Sequence, residues 1–430
     1  MTKKKNLYLC LLITTAVEQR QTASTHDKKN IQPGNMKLKI TTPLLLTVAL
    51  VIHGTVGLTS CSSTKEKSAE QEQTAAIADK VWTYSLSHPE GFTLDIRTMT
   101  EPTNGIAASY AATQDCHGRD QLGKVVSHAL KNDGYVGGWY NGKDGRYYFD
   151  SSRLFAETDI RNAILFGRQN GQRSVYILSS HTDVPLDGTA WRIIDRDTLI
   201  IGTTGDYRPL SFREPEGDYW GFGIEVAREI AARLGVKTKF VGTSWPTLTA
   251  DVLAEPQRFD LAIGGITITD ARRETMLMSE GYLANGKTIL CRAEDAGRYK
   301  SLADVDKPGV RVMVNPGGLN EKFANDNLTH ATVTVHPKNE EIPSLIAEGA
   351  ADIMITEITE APYYVQTDTR LAAPLLKEPF TRGEIGILMR KGQEDLLQLV
   401  NSIIRQMKHN GSLQRLHEKY GLVYAYGETP

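Results

Sequence analysis

The chain has 430 residues, of which 40% are hydrophobic, so it is long enough for two or three domains with substantial cores. Its 49 basic and 51 acidic residues nearly balance, and no basic run exceeds a few residues, which argues against a nucleic-acid partner. The four cysteines, Cys10, Cys61, Cys116 and Cys291, show neither the spacing of metal ligands nor that of a disulfide framework.

Residues 1–61 are predicted to be a leader that ends in a lipoprotein signal. A short basic segment at residues 36–39 precedes a mostly apolar run at residues 42–58. Residues 58–61, Leu-Thr-Ser-Cys, are similar to a bacterial lipoprotein cleavage box. The alternative is a membrane-spanning anchor, but the apolar run is short and is interrupted by proline, histidine and glycine.

The lipoprotein signal predicts where the mature protein begins and where it is held. Residues 1–35 are polar and unpatterned, so we expect Met36 to be the true start. The resemblance implies that Cys61 carries the lipid and anchors the protein on the periplasmic face of a bacterial membrane. Ser62 stands where an aspartate is often linked to inner-membrane retention, which favours the outer membrane.

A tether and a small domain are predicted next. Residues 62–74 are rich in Ser, Lys, Glu and Gln and are too polar to pack. Residues 75–187 are predicted to form a small α+β module, with strands at 135–140, 147–150 and 174–178 and a helix at 157–170. No function follows from its sequence. Cys116 and His117 lack further metal ligands nearby, and a docking or spacer role is the default interpretation.

From Trp191 onward, strands and helices alternate, which is typical of α/β domains with parallel sheets. The predicted strands lie at 198–203, 237–241 and 259–263 and, in a second lobe, at 311–314 and 352–355. The predicted helices lie at 223–234, 248–253, 396–407 and 413–420.

Motifs within residues 191–426 resemble a known superfamily. Residues 221–227 resemble the start of the first helix in type II periplasmic solute-binding proteins, and residues 264–272 resemble the clamp for the ligand's carboxylate. Residues 243–246, 285–288 and 315–323 are similar to the cyclohexadienyl dehydratase family, the exported prephenate/arogenate dehydratases of that superfamily. The resemblance implies an α/β, two-lobed type II periplasmic-binding-protein fold and does not extend to residues 62–190.

The sequence departs from these patterns at three positions. Gly223 stands where the receptors usually have aspartate, and Leu319 stands where the dehydratases usually have threonine. Glu357 replaces an aspartate three residues before Glu360. The first departure weakens a receptor interpretation, and the other two leave the substrate contacts open.

Several residues are candidates for binding a small dianionic substrate. Arg272 matches the position of the carboxylate clamp, and a guanidinium group can bind both oxygens of a carboxylate. The Thr267 hydroxyl would complete that pocket. Lys287 would meet a second carboxylate or would lie at the surface.

Further candidates come from a glycine-rich turn and from two aromatic residues. Residues 315–318 precede a predicted helix that begins near Leu319, and glycines at a helix N-terminus can bind an anion or form a purely structural turn. Asn315 belongs to this turn, and Asn320 would cap the helix or face the ligand. Trp245 and Tyr207 would form the walls around the substrate ring or would belong to the core.

Glu360 matches the position of the dehydratase proton donor and is therefore the candidate general acid. Burial and a neighbouring carboxylate, Glu357, would raise its pKa, whereas a helix N-terminus indicated by Pro362 would lower it. We expect burial to have the larger effect. Glu357 could also hold the ammonium group of an amino substrate, and a solvated helix start is the alternative for both glutamates.

The resemblance implies a cyclohexadienyl (prephenate/arogenate) dehydratase, a carbon–oxygen lyase that needs no metal or other cofactor because aromatisation drives the reaction. The alternative is a periplasmic amino-acid-binding lipoprotein of an ABC transporter or sensor. A third interpretation makes residues 75–187 the functional part of a sensor or cell-wall-associated protein. The expected partners are a small-molecule substrate and, through the lipid, a membrane; the sequence leaves open the oligomeric state.

Overall fold

The computed structural model describes residues 60–426, with side chains described from Ser68 onward. The predicted start at Met36 and the predicted apolar run at 42–58 lie outside the described residues, as does the side chain of Cys61. The first described helix is α1 (Ser60–Ser87). Where we predict a tether, α1 is already helical and the side chains of residues 68–73 are exposed. No helix within residues 60–426 combines the length and the apolar character that crossing a membrane requires.

The N-terminal module is built on a six-stranded antiparallel sheet with the strand order β1-β3-β4-β2-β5-β6. Its strands are β1 (Phe92–Asp95), β2 (Ile106–Ser109), β3 (Tyr135–Asn141), β4 (Arg146–Phe155), β5 (Ser174–Ile177) and β6 (Thr182–Pro185). Its helices after α1 are α2 (Gly118–Lys131) and α3 (Ile160–Gln169). One face of the sheet buries Leu94, Val136 and Phe149 with apolar residues of α2.

The module shares a hydrophobic core with the domain that follows it. Ile164 of α3 and Ile177 of β5 belong to the same buried cluster as Leu199 and Ile230 of the next domain. Helix α4 (Thr189–Asp195) joins the two parts, and the Arg161 guanidinium donates to the Gly235 carbonyl at 2.7 Å. A shared core holds the module against the first lobe without a flexible linker.

Residues 198–426 form two lobes, each with a central five-stranded sheet in the orders β11-β7-β12-β21-β13 and β17-β16-β18-β15-β19. The strands of the first lobe are β7 (Thr198–Thr203), β8 (Asp206–Tyr207), β9 (Ser211–Arg213), β10 (Tyr219–Trp220), β11 (Lys237–Gly242), β12 (Leu261–Ala262), β13 (Met276–Met278) and β21 (Leu388–Arg390). The strands of the second lobe are β15 (Lys287–Arg292), β16 (Arg311–Val314), β17 (Thr332–Val335), β18 (Ile353–Glu357) and β19 (Leu371–Ala372).

The chain crosses between the lobes twice, through the antiparallel pair β14 (Leu283–Asn285) and β20 (Gly383–Ile385). The helices are α5 (Phe222–Arg233), α6 (Leu248–Leu253), α7 (Asp270–Thr275), α8 (Leu302–Val305), α9 (Leu319–Asn327), α10 (Ile342–Ala347), α11 (Ala361–Thr367), α12 (Glu394–His409) and α13 (Ser412–Lys419). This arrangement confirms the predicted two-lobed α/β fold. Because only two strands connect the lobes, a hinge there would open and close the cleft between them.

Candidate functional site

A small cavity lies between the two lobes and is lined by the eight candidate binding residues. The first lobe contributes Tyr207, Trp245, Thr267 and Arg272. The second lobe contributes Lys287, Asn315, Asn320 and Glu357. The cavity volume is about 20 Å³, which is room for about one water molecule. Any ligand larger than a water molecule therefore requires the lobes to separate or the lining side chains to move.

Arg272 brings a cation to the cavity. It lies on α7, where Thr269 caps the helix by accepting from the Arg272 backbone N–H at 3.2 Å. Its guanidinium donates to the Thr267 carbonyl at 2.5 Å and forms no ion pair with an acidic residue of the described chain. Burial lowers the pKa of this guanidinium, and the charge of Glu357 acts in the opposite direction. Its remaining N–H donors can bind a carboxylate on a ligand.

Lys287 and Glu357 form a buried ion pair beside Arg272. They are direct neighbours on the antiparallel strands β15 and β18, and the Lys287 Nζ lies 2.6 Å from the Glu357 Oε1. Their side chains are 8% and 6% exposed. The Tyr207 hydroxyl donates to the other carboxylate oxygen of Glu357 from the opposite lobe. Burial by itself would raise the pKa of Glu357, but Lys287 and these hydrogen bonds hold it below its usual value.

Asn315 and Asn320 connect this ion pair to the turn before α9. The Lys287 Nζ donates to the Asn320 Oδ1 at 2.6 Å, and the Asn320 Nδ2 donates to the Asn315 Oδ1 at 3.1 Å. In the turn itself, the Gly317 N–H donates to the Glu321 carboxylate at 2.6 Å, with Gly317 at a φ of +70°. This donor is therefore already satisfied within the protein, and the turn offers an anion less than its sequence predicts.

Trp245 and Tyr207 line the cavity and also belong to the hydrophobic core of the first lobe or pack against it. Their ring centroids are 5.8 Å apart at an interplanar angle of 83°. The Trp245 indole N–H donates to the Asp206 Oδ1 at 3.1 Å, which fixes the orientation of that ring. The two rings offer an edge and a face to a planar ligand.

Glu360 is the N-cap of α11, next to Pro362 in the first turn, and it is fully buried. The Asn339 Nδ2 lies 2.7 Å from its Oε1 and the Thr356 Oγ1 lies 2.6 Å from its Oε2. Burial raises the pKa of Glu360 to about 8; these two hydrogen bonds oppose the rise, and the charge of Glu357 adds to it. The pKa of Glu360 is raised, which is the direction we expect if burial has a larger effect on it than the N-terminus of α11.

Glu360 does not line the cavity, in contrast to the other predicted site residues. Its carboxyl group binds Thr356 and Asn339, which the sequence analysis did not select. Thr356 directly precedes Glu357 and lies four residues before Glu360, so its position in the sequence could have indicated a contact with Glu360. Asn339 begins a single 3₁₀-helical turn (Asn339–Glu341) in a charged segment of no recognisable motif, so the sequence contains no signal for it.

Comparisons with known proteins match the two-lobed part of the chain. The family model for bacterial extracellular solute-binding proteins, family 3, matches residues 199–423. The chain is 37% identical over 229 residues to cyclohexadienyl dehydratase of Pseudomonas aeruginosa, covering 53% of this chain and 84% of that protein. It is 30% identical over 235 residues to the L-cystine-binding protein TcyJ of Escherichia coli, covering 54% and 86%.

A solved structure with the same architecture is the ancestral amino acid-binding protein AncCDT-1, a precursor of cyclohexadienyl dehydratase. Its TM-score is 0.50 at 35% identity, and the match covers 54% of this chain and 99% of that one. These matches include both a dehydratase and binding proteins for amino acids, and the family model covers more than half of the chain. The chain therefore belongs to family 3 of the bacterial extracellular solute-binding proteins.

Proposed function

We propose that this protein is a cyclohexadienyl dehydratase that converts prephenate to phenylpyruvate, with Glu360 as the general acid. The observation that supports this best is the contrast between two glutamates three residues apart. Burial raises the pKa of Glu360 to about 8, whereas the pKa of Glu357 is lowered by its ion pair with Lys287. Paired carboxyl groups whose pKa values differ in this way are typical of acid catalysis.

The reaction needs one proton and no electron transfer. The bond between the ring and its carboxylate breaks, carbon dioxide leaves, and the electron pair enters the ring. The bond from the ring to its hydroxyl breaks as Glu360 donates its proton, so the hydroxyl leaves as water. The Glu360 carboxylate then regains a proton from solvent. General acid catalysis of this kind contributes about 10²–10⁴-fold to a rate.

The groups that form hydrogen bonds with the Glu360 carboxyl group determine which of its two oxygens carries the proton. The Asn339 amide N–H can only donate, so Oε1 must accept, and the proton of the neutral acid lies on Oε2 beside Thr356. For the transfer, this carboxyl group must come within hydrogen-bond reach of the leaving hydroxyl. Since Glu360 lies outside the cavity wall, the proposal requires lining residues to move when substrate enters.

The charges of the cavity favour an anionic substrate that carries no ammonium group. Arg272 and Lys287 are cations, Glu357 is the only acidic residue among the described residues that line the cavity, and Glu360 is neutral at pH 7. Because Lys287 already neutralises Glu357, an ammonium group at that carboxylate would meet a neighbouring cation. We therefore expect the keto substrate prephenate to be preferred over its amino analogue arogenate.

The decisive experiment measures prephenate turnover by the purified protein, through the ultraviolet absorbance of phenylpyruvate. We expect turnover by the wild type, its loss in Glu360→Gln with substrate binding retained, and wild-type turnover in the exposed control Glu340→Gln. An amino-acid receptor, the second candidate, is supported by the relationship to TcyJ. Tight binding of an amino acid without any turnover of prephenate or arogenate by the wild type would establish the receptor instead.

The relatives of this family are extracellular, and a periplasmic location follows for the proposed enzyme. Attachment to a membrane through lipid at Cys61, and to the outer membrane in particular, stays a prediction from the sequence. Labelling with a radioactive fatty acid, compared between the wild type and Cys61→Ser, tests it. Equal labelling of both proteins would contradict it.

A further inference from the structure

The N-terminal module has a large groove on the face of its sheet that is turned away from the core. We call it the sheet groove; it has a volume of about 1050 Å³. It extends from Thr93 on the edge strand β1 to Asp183 on the opposite edge strand β6. None of the residues that line the cavity between the lobes also lines the sheet groove.

The shape of the sheet groove follows from the order of small and large side chains on this face. Its floor is formed by small residues on the three central strands, where Gly137 pairs with Asp150 and Ser109 pairs with Ser152. Larger aromatic rings stand along its sides, where Trp139 pairs with Tyr148. Alternate residues of the strands, such as Leu94, Val136 and Val184, are buried on the opposite face of the sheet.

The sheet groove is strongly acidic. Five carboxylates line it, and one arginine, Arg173, is the only Lys or Arg among its lining residues. The five are Glu90, Glu101, Asp115, Asp150 and Asp183. None of them forms an ion pair with a lysine or arginine of the described chain, but the Glu101 Oε1 lies 3.7 Å from the His88 Nε2. Glu101 also accepts from Tyr84, and Asp183 accepts from Ser174. Five carboxylates around one groove, none of them paired with a lysine or arginine, attract a cationic ligand.

The aromatic rings of the sheet groove suit the same ligand. Trp139 is 46% exposed, which is unusual for so large an apolar side chain, and it stacks on Tyr148 with centroids 5.0 Å apart. A lysine or arginine side chain can lie over such rings and be attracted by their π electrons. Burial raises the pKa of Asp150, beside these rings, to about 6, partly offset by a hydrogen bond from Trp139. A cation bound there would favour the ionised carboxylate.

The carboxylates of the sheet groove are distributed along its length, which suits a ligand with several positive charges better than a single metal ion. Within residues 60–426, no three His, Cys, Asp or Glu side chains are close enough together to hold a metal ion. The groove crosses six strands, and five spacings of about 4.8 Å make it roughly 24 Å wide. An extended chain rises about 3.3 Å per residue, so roughly seven residues would cross it.

We propose that the sheet groove binds an extended basic peptide segment of another protein, with lysine or arginine side chains over Trp139 and Tyr148 and beside Asp150. The peptide lies across the strands and its charges meet the carboxylates in turn. This binding is independent of the chemistry between the lobes. The protein would thereby be held close to a basic partner while its catalytic cleft stays free.

Fluorescence anisotropy of a labelled heptapeptide of alternating lysine and serine, titrated with the full-length protein, tests this proposal. We expect saturable binding that weakens with added salt, and no binding of the matching glutamate and serine peptide. Trp139→Ala should weaken binding about two- to fivefold, given the usual strength of cation–π contacts at exposed sites. Asp150→Asn should also weaken binding, because it removes one carboxylate that attracts the peptide. Glu348→Gln, which removes an exposed carboxylate on the second lobe, should leave it unchanged.

Ser109→Trp fills the floor of the groove and should abolish binding. Circular dichroism of each variant verifies that it is folded. The proposal is wrong if the lysine peptide does not bind, or if Trp139→Ala and Ser109→Trp bind it as tightly as the wild type. It is also wrong if spermidine displaces the peptide at equal or lower concentration, because a small polyamine would then be the ligand.

Discussion

The side-chain amide of Asn339 connects Glu360 to the opposite lobe. Its Nδ2 donates to the Glu360 Oε1 at 2.7 Å and to the backbone carbonyl of Asp206 at 3.2 Å. Glu360 and Asn339 belong to the second lobe and Asp206 to the first, so the same amide group that contacts the candidate acid also joins the two lobes. The hydrogen bonds of Glu360 lie within the second lobe, and only the contact of Asn339 with Asp206 depends on the closed arrangement.

Replacing Asn339 should change the pH dependence of the reaction. Asn339 donates to Glu360 and lowers the pKa of that carboxyl group, so Asn339→Ala should raise the pKa further. The loss of activity at high pH should then move upward by about one pH unit, as expected for losing a hydrogen bond to a charged group. The measurement is kcat/KM for prephenate from pH 6 to 10. Lys338→Ala, at the exposed neighbour, is the control, and an unchanged profile in Asn339→Ala would contradict this role.

The free energy of unfolding of the wild type should decrease as the pH rises, because of Glu360. Its pKa is about 8 in the folded protein, against 4.5 as its ordinary value, so between these values the folded state holds a proton that the unfolded chain has released. The free energy of unfolding then decreases by about 1.4 kcal/mol per pH unit in this range. Glu360→Gln keeps the hydrogen bonds of the neutral acid, since its amide can accept from Asn339 and donate to Thr356. It should match the wild type near pH 5 and exceed it near pH 8.

Urea unfolding at pH 5, 6.5 and 8 measures this difference. Glu340→Gln, which removes an exposed carboxylate in the adjoining 3₁₀-helical turn, should follow the wild type at each pH. Parallel pH dependences of the wild type and Glu360→Gln would show that Glu360 does not titrate as argued.

Breaking the buried ion pair between Lys287 and Glu357 should lower the free energy of unfolding substantially. Lys287→Met leaves Glu357 as a buried carboxylate without its cation and should lower the free energy of unfolding at pH 7 by about 3–5 kcal/mol. The double variant Lys287→Met with Glu357→Gln should regain most of this loss, because no unpaired charge remains. Lys307→Met, which breaks an exposed pair with Asp304, should cost less than about 1 kcal/mol. A loss in Lys287→Met as small as that in Lys307→Met would contradict the prediction.

Prephenate binding should be sensitive even to the conservative replacement of Arg272 by lysine. A lysine keeps the charge but loses the planar pair of donors, so Arg272→Lys should weaken prephenate binding about 10- to 100-fold. Isothermal titration in the Glu360→Gln background measures binding without turnover. Arg273→Lys, at the exposed neighbour, is the matched control and should bind as the wild type does. Equal affinities of the two variants would rule out Arg272 as the carboxylate clamp.

Residue patterns, together with the resemblance to a known superfamily, were sufficient for the two-lobed fold and named eight residues that line the cavity. Alternation of strands and helices after Trp191 predicts an α/β domain, and the resemblance implies its two lobes and the candidates Arg272 and Lys287. The fold prediction succeeds because periodicity and short motifs are properties of adjacent residues. The observed strand β12 (Leu261–Ala262) is shorter than the predicted 259–263, since strand ends depend on pairing with distant neighbours.

The tertiary structure alone decided the chemistry of the glutamates. Lys287 and Glu357 are 70 residues apart, and only the register of β15 against β18 makes them neighbours. Asn339 reaches Glu360 from a segment that no motif distinguishes. A sequence shows that a carboxyl group is present, but its pKa depends on burial and on the charges around it. Both are set by packing between segments that are distant in the chain.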